Sequence, residues 1–508
     1  MSRKLALAVF AIAIAVAAAA TWWFRSGQPA QRPAAPFART ADQNVLIITI
    51  DTLRADALGS YGGRAATPNL DRLAREGARF SFAHAHAVVT LPSHASIMTG
   101  RYPYEHGVRD NSGYRLDDAA DTLAERARAA GLATGAFVGA FPLDRQFGLA
   151  QGFDVYDDVG GLGKAEAEFA LAERRAEAVA GAARKWISEQ SKPWLAWVHV
   201  FDPHAPYSPP PPFNQQYADQ PYAGEVAYVD QALGPLLDAA RTAIRPTLVI
   251  VTSDHGEGMG EHGEATHGTF AYESTLKVPL IVAQIAADGP RGDTGLVLDY
   301  PVQHVDIFRT VLDALGLSAA EGAPGIALTT ELSGARALRR VVPSYFEAMT
   351  PMLTRGWAPL RGVLVDREKY IDLPVEELYD LKTDAAESRN LVASSADRAR
   401  ALFETLKQMN APLPGEARVE TSEARERLES LGYVGRSAPR MSRRAPRRAA
   451  ARSASSGRRT AGARAHPTRR RGCAIRRHPP SGRRAPRPAG RCTSRDRPAR
   501  REAAPSRA

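Results

Sequence analysis

Seven consecutive residues, Asn44 to Ile50 (NVLIITI), are apolar but for their first residue and one threonine, and the run stops on Asp51. An unalternating run of that length predicts a strand covered on both faces rather than a half-exposed one. The pattern returns at Trp194–Val200 and at Thr247–Asp254, with a shorter strand near Thr134–Val138. Between the strands the apolar positions follow a helical period. Thr67 with Pro68 starts one helix and Gly77 ends it; others are expected over Thr122–Ala130 before Gly131, Lys164–Gln190, Gly224–Ala243 and Asp306–Leu315. A further helix begins at Pro92 and ends at Gly100. Buried strands alternating with helices predict an α/β fold with a mainly parallel sheet between helical layers. From about Val341 to Val434 the runs shorten, as in EKYIDL and EELYDL, which predicts a small subdomain with antiparallel strands.

The two ends differ from this body. Leu5 to Phe24 is apolar except for Thr21, follows Arg3 and Lys4, and carries Trp22 and Trp23 at its far end. Twenty residues at about 1.5 Å each span a bilayer. Residues 1–25 therefore read as a membrane anchor with the body translocated, or as a cleaved signal peptide; residues 26–42 read as a Pro/Ala-rich linker. The net charge of +11 belongs to the other end. Residues 437–508 hold 23 arginines, no lysine and only Asp496 and Glu502, a net of +21, which leaves about −10 for residues 1–436. That tail has no apolar periodicity and reads as disordered, either a shifted reading frame or a polybasic segment. Both cysteines, Cys473 and Cys492, lie in it, so the body has no disulfide, thiolate metal site or cysteine nucleophile. An acidic, exported body without interleaved aromatics speaks against nucleic acid as the partner. The catalytic part is bounded at 43–340 and the small subdomain at 341–436.

In an open parallel sheet, chemistry gathers at the carboxyl ends of the strands. Asp51 ends one strand; Asp254 and His255 end another, followed by His262 and His267. Carboxylates with imidazole form a ligand set for a divalent cation. Thr90 stands two residues before Pro92, at a predicted helix start where backbone N–H groups favour an oxyanion. A hydroxyl held there beside a metal is a nucleophile for a tetrahedral anionic ester; the alternative is an ordinary helix cap.

The stretches NVLIITIDTLRADALGSYG, TPNLDRLAREGARF, TLPSHASIMTGRYPYEHGV, HVFDPHAPY, SDHGEGMGEHG, YESTLKVPLIV and EELYDLKTDAAESRNL, taken together and in this order, resemble the sulfatase family of the alkaline-phosphatase superfamily over roughly Asn44 to Val434. The resemblance implies an α/β/α sandwich with a small C-terminal α+β subdomain, and a hydrolase of sulfuric or phosphoric esters acting on an anionic substrate.

The departures from the family pattern bear on the chemistry. Sulfatases place Cys or Ser before x-Pro-x-Arg and oxidise it to formylglycine; here the positions are Thr90 and His94. Oxidising a threonine gives a ketone, so no formylglycine is expected. The usual acidic pair is Asp51–Thr52, the later pair is Asp254–His255, and the usual Lys-x-His falls on Ala140 and Pro142. The substrate lysine falls on His267. The resemblance thus shifts toward phosphoryl-handling relatives in which an unmodified threonine is the nucleophile. It implies one divalent ion (Zn²⁺ or Mn²⁺ before Ca²⁺) on Asp51, Thr90, Asp254 and His255, with His94, His204 and His267 beside the substrate. A second metal on Asp202, His204 and His267 is the open variant. His106 lines the pocket or braces a turn, and His84 and His86 are structural. The competing functions are phosphoryl transfer to an envelope lipid or glycan, and non-catalytic binding at a membrane.

Overall fold

The computed structural model describes residues 37–158, 174–318, 322–333, 341–415, 417 and 421–430. The expected anchor or signal (1–25), most of the linker and the Arg-rich tail lie outside these residues. Among the described residues no helix is long and apolar enough to cross a membrane.

The three continuous apolar runs form neighbouring parallel strands: β1 (Asn44–Ile50), β5 (Trp194–Val200) and β6 (Thr247–Ser253). The remaining strands of this ten-stranded sheet are β2 (Ala78–His84), β3 (Ala133–Val138), β4 (Val155–Asp157), β7 (Lys277–Ala286), β8 (Gly289–Arg291), β9 (Leu296–Leu298) and β10 (Val302–Gln303). The main path runs β10-β2-β7-β6-β1-β5-β3-β4, with β8 on β7 and β9 on β2. The sheet is parallel from β6 to β4, and β7 runs antiparallel to both of its neighbours on the path.

Alternation along β1 divides the core in two. Val45 and Ile47 pack with Leu91 and Ile97 of the Thr90–Thr99 helix and with Ile307 and Val311 of the Val305–Ala314 helix. Leu46, Ile48 and Ile50 pack on the other face with Leu70 and Leu73, Val179 and Ala183, and Leu233 and Leu237. Those three pairs come from the helices Pro68–Glu76, Ala176–Ser188 and Pro221–Arg241. The result is the expected three-layer α/β arrangement.

Two helix starts differ from expectation. Thr67 does not cap the Pro68–Glu76 helix; Asp230 of the Pro221–Arg241 helix accepts from Asn69 N (3.1 Å) and Leu70 N (2.8 Å) instead. The helix expected from Lys164 begins, within the described residues, at Ala176, because the Asp202 carboxylate accepts from Ala176 N (2.6 Å) and from Arg175 (3.2 Å) and fixes the terminus there.

The small subdomain is an antiparallel sheet of β11 (Ser344–Ala348), β12 (Leu360–Val365), β13 (Glu368–Asp372) and β14 (Glu377–Asp380). It is tied to the catalytic part by a buried bidentate pair, Arg109 Nε and Nη2 to Glu347 (2.7 and 2.6 Å), and by Glu347 N donating to His86 O (2.9 Å). The end of the expected linker also packs on the body: Ala38 N donates to Gln284 Oε1 at 2.7 Å.

Candidate active site

Parallel register sets the first two ligands side by side. Ile50 pairs with Ser253, so Asp51 and Asp254 leave the sheet together at its carboxyl edge. The turn after β1 is held open by side chains. Thr52 adopts φ +53, a region unfavourable for a β-branched residue. Its N–H donates to Asp254 Oδ1 (3.2 Å), its hydroxyl donates to Pro203 O (3.0 Å), and its carbonyl accepts from Tyr222 OH (2.9 Å). The threonine that replaces the family's second acid thus spends its hydroxyl on backbone.

Asp51, Asp254 and His255 are fully buried and present ligand atoms within 4.8 Å of one another; among the described residues they are the one such cluster of His, Cys, Asp and Glu. His255 Nδ1–H donates to Gly256 O (2.9 Å), which turns Nε2 toward the two carboxylates, 3.5 Å from Asp254 Oδ2 and 3.8 Å from Asp51 Oδ1. Thr90 is the first residue of its helix, not the residue before it, and its Oγ1 does not cap the N-terminus. Thr90 Oγ1, Asp254 Oδ2 and His255 Nε2 are all buried without a hydrogen-bond partner among the described residues.

A proton count adds His199 to this centre. His94 Nδ1–H donates to Thr90 O (2.8 Å), so its Nε2 accepts the Thr49 hydroxyl proton (3.0 Å). Thr49 Oγ1 therefore accepts from Trp197 Nε1–H (3.1 Å) and from His199 Nδ1–H (3.0 Å). Burial keeps both imidazoles neutral, lowering His94 to about 3 and His199 to about 4. His199 Nε2 is then a lone pair 3.4 Å from Asp51 Oδ2. Two buried acceptors at that separation repel unless a cation lies with them. Carboxylate, imidazole and hydroxyl donors with unsatisfied atoms fit a divalent ion of intermediate softness.

The same bonds correct the expectation for His94. Both of its nitrogens are engaged, one by the Thr90 carbonyl and one by Thr49, so it holds the Thr90 backbone and has no nitrogen left for a substrate. Asp202 is corrected too: its carboxylate caps a helix, and the structure does not assemble it with His204 and His267 as a second metal site. His106 braces a turn, accepting at Nδ1 from Val108 N (3.1 Å) and donating from Nε2 to Ser96 Oγ (3.1 Å). His84 pairs with Glu273 and His86 donates to Tyr345 O. Ala140 and Pro142 are buried at the end of β3 and offer no cation.

His204 and His267 do come together, with ring centroids 5.0 Å apart, and His267 lies 4.5 Å from the His255 ring. His204 Nδ1–H donates to Ala205 O (2.7 Å), and burial together with the neighbouring His267 holds its pKa well below the usual imidazole value. His267 Nδ1–H donates to the buried Glu257 Oε1 (3.0 Å), a partner that the motif SDHGEG did not by itself identify. Asn111 also escaped notice: its Oδ1 accepts from Leu91 N (2.7 Å), one residue beyond Thr90, and its buried Nδ2 has no acceptor among the described residues. Val89, His204 and His267 line a cavity of about 280 Å3 whose other wall is Thr350, Thr354 and Arg355.

A mainly parallel sheet with a carboxylate–imidazole cluster at its carboxyl edge and a buried hydroxyl beside it is the arrangement of an ester hydrolase of the alkaline-phosphatase-like class. The Sulfatase family model matches residues 43–317, and the chain belongs to that family. It is 25% identical to the uncharacterized sulfatase YidJ of Escherichia coli over 424 residues, covering 69% of this chain and 83% of the relative. It is 26% identical to the choline-sulfatase of Rhizobium meliloti over 439 residues, with the same coverage of 69% and 83%. The crystal structure of the phosphonate monoester hydrolase of Agrobacterium radiobacter shares the fold with a TM-score of 0.60 at 24% identity, covering 73% of this chain and 95% of that one. The chain is a sulfatase-like hydrolase.

Proposed function

We propose that the protein hydrolyses phosphate-type esters through an unmodified Thr90, with one divalent ion held by Asp51, Thr90, Asp254 and His255. The observation that carries this reading is the buried Thr90 hydroxyl, which has no partner among the described residues and sits in a family position reserved for the nucleophile. Burying a hydroxyl without a hydrogen bond costs about 1–3 kcal/mol, a cost that a structural threonine would avoid by capping its helix. When bound, the ion lowers the pKa of a nearby hydroxyl and screens the charge of the ester.

The chain's own residues supply the rest. In the first half-reaction a Thr90 Oγ–P bond forms and the bond from phosphorus to the leaving oxygen breaks. The hydroxyl proton passes to a base, and a proton is returned to the departing alcohol. Water then attacks phosphorus, the Oγ–P bond breaks, and Thr90 regains its proton. His94 holds the Thr90 carbonyl, Asn111 Nδ2 offers a donor to a charged oxygen, and Glu257 fixes which nitrogen His267 presents. Phosphorus suits this sequence, because a phospho-threonine releases its group by simple hydrolysis, whereas the sulfatase route requires an aldehyde that threonine does not form. Export of the body, with residues 5–24 as anchor or signal, belongs to the same proposal.

The test is a panel of sulfate, phosphate monoester, phosphate diester and phosphonate monoester substrates with added Zn²⁺, Mn²⁺ or Ca²⁺, combined with mass spectrometry of the acid-quenched enzyme. A phosphate adduct on the peptide containing Thr90 is expected. Turnover by Thr90→Ala at the wild-type rate would show instead that water attacks directly.

A further inference from the structure

The cavity beside the nucleophile is asymmetric in charge. Its catalytic wall carries two imidazoles, and its far wall belongs to the small subdomain. Among the described residues that line it, Arg355 is the one side chain with a permanent charge, and no carboxylate faces it. Four threonines, Thr266, Thr269, Thr350 and Thr354, supply the other polar groups.

The far wall is fixed to the nucleophile by a run of direct bonds. Arg355 ends the Thr350–Arg355 helix, which Gly356 closes at φ +69. Thr350 Oγ1 donates to Asp110 Oδ1 (2.9 Å). Asp110 lies between Arg109, paired with Glu347, and Asn111, which holds Leu91 N. The guanidinium carbon stands 5.3 Å from the centroid of the Trp357 ring, which backs it. A cation at a helix C-terminus also complements the helix dipole. That role needs no particular neighbours, and it leaves unexplained a cavity lined by one permanent cation and no acid, whose far-wall hydroxyls are already given to Asp110 Oδ1 and Thr350 O.

Resting on the ester-hydrolase reading above, we propose that Arg355 is a specificity-determining residue that binds a second anionic group on the substrate. The substrate class is then a small dianion: one charge on the ester beside Thr90, the other a carboxylate or a further ester anion at Arg355. A volume of about 280 Å3 suits a body of roughly one ring. Guanidinium matches a planar or tetrahedral oxyanion with paired N–H donors.

The test uses matched phenyl esters whose leaving group is para-hydroxybenzoate or its methyl ester, made as sulfates, phosphates and phosphonates. Wild type is expected to favour the carboxylate. Arg355→Ala should lower kcat/KM for the carboxylate by about tenfold or more, mainly through KM, and change the methyl ester by less than about twofold. Arg355→Lys should restore part of the preference and Arg355→Glu should reverse it, at unchanged melting temperature. Calorimetric binding of para-(phosphonomethyl)benzoate and its methyl ester to Thr90→Ala, with and without Arg355→Ala, separates recognition from turnover. Selective binding of the carboxylate that depends on Arg355, without turnover of any ester by wild type, would refute the hydrolase reading and leave Arg355 in place. Equal handling of both congeners, or an equal loss on both in Arg355→Ala, would overturn the proposal and leave the hydrolase reading standing.

Discussion

Two buried clusters of charged and polar groups, one at Arg109–Glu347 and one around Thr90, are built in opposite ways. At Arg109–Glu347 the accounts close: Glu347 Oε1 accepts from Arg109 Nε (2.7 Å), and Oε2 accepts from Arg109 Nη2 (2.6 Å) and Tyr345 OH (2.7 Å). Around Thr90 they do not, since Thr90 Oγ1, Asp254 Oδ2, His255 Nε2 and His199 Nε2 are buried with no hydrogen-bond partner among the described residues. A satisfied cluster fixes structure, here the docking of the small subdomain. An unsatisfied one costs stability and points to a functional site; under the function proposed above, a cation and the oxygens of an ester would satisfy it.

The contrast breaks most sharply at Thr90. Thr90→Ala should lower kcat on the order of 10⁴-fold or more, measured by steady-state kinetics, while the fold survives. Because the hydroxyl has no partner among the described residues, Thr90→Val should leave the melting temperature of the metal-free protein unchanged or raised. Glu347→Gln tests the other half. It leaves Arg109 buried beside a neutral amide, and denaturant unfolding should show a loss of about 3–5 kcal/mol. A Thr90→Val loss as large as that of Glu347→Gln would remove the distinction between the two clusters.

Next in size is the effect of the cation. With free metal at one hundred times its Kd, wild type should gain about 2.7 kcal/mol, and Asp254→Asn should lose that gain in calorimetry with and without Zn²⁺ or Mn²⁺. Asp254→Asn that still gains stability and still binds one equivalent would place the ion elsewhere.

Much of this was legible in the chain. Continuous apolar runs ending on Asp51 and on Asp254–His255 fix both the parallel sheet and the edge where chemistry collects, because parallel register carries the residues after adjacent strands to one place. The motifs around Thr90 were equally readable, since Thr90 and its helix are local in sequence. What stayed hidden depends on partners far along the chain. His94 stands where the family motif has an arginine, and only the fold shows that Thr49 and the Thr90 carbonyl take both its nitrogens. Glu257 reads as one more acid in a charged loop until it meets His267. Arg355 lies in a subdomain whose periodicity says nothing about which of its helices faces the cavity lined by His204 and His267.

Asp202 is the finest test of the comparison, because the sequence left it open as a ligand of a second metal and the structure places it among the satisfied groups. It follows β5 in HVFDPHAPY, two residues before His204, a spacing that suits a ligand pair. Its oxygens are taken: Oδ2 accepts from Ala176 N (2.6 Å) and Oδ1 from Arg175 (3.2 Å). A helix cap removed by Asp202→Ala costs about 1 kcal/mol, with some added loss from leaving Arg175 without its partner; that arginine is half exposed, so the ion pair itself contributes little. The expected result is therefore a melting temperature a few degrees lower, with metal stoichiometry and kcat retained. Asp202→Asn should recover most of the loss, because an asparagine caps nearly as well as an aspartate. If the residue were instead a ligand to a second ion, both variants would drop one equivalent of metal and lose activity together, and asparagine would not rescue either.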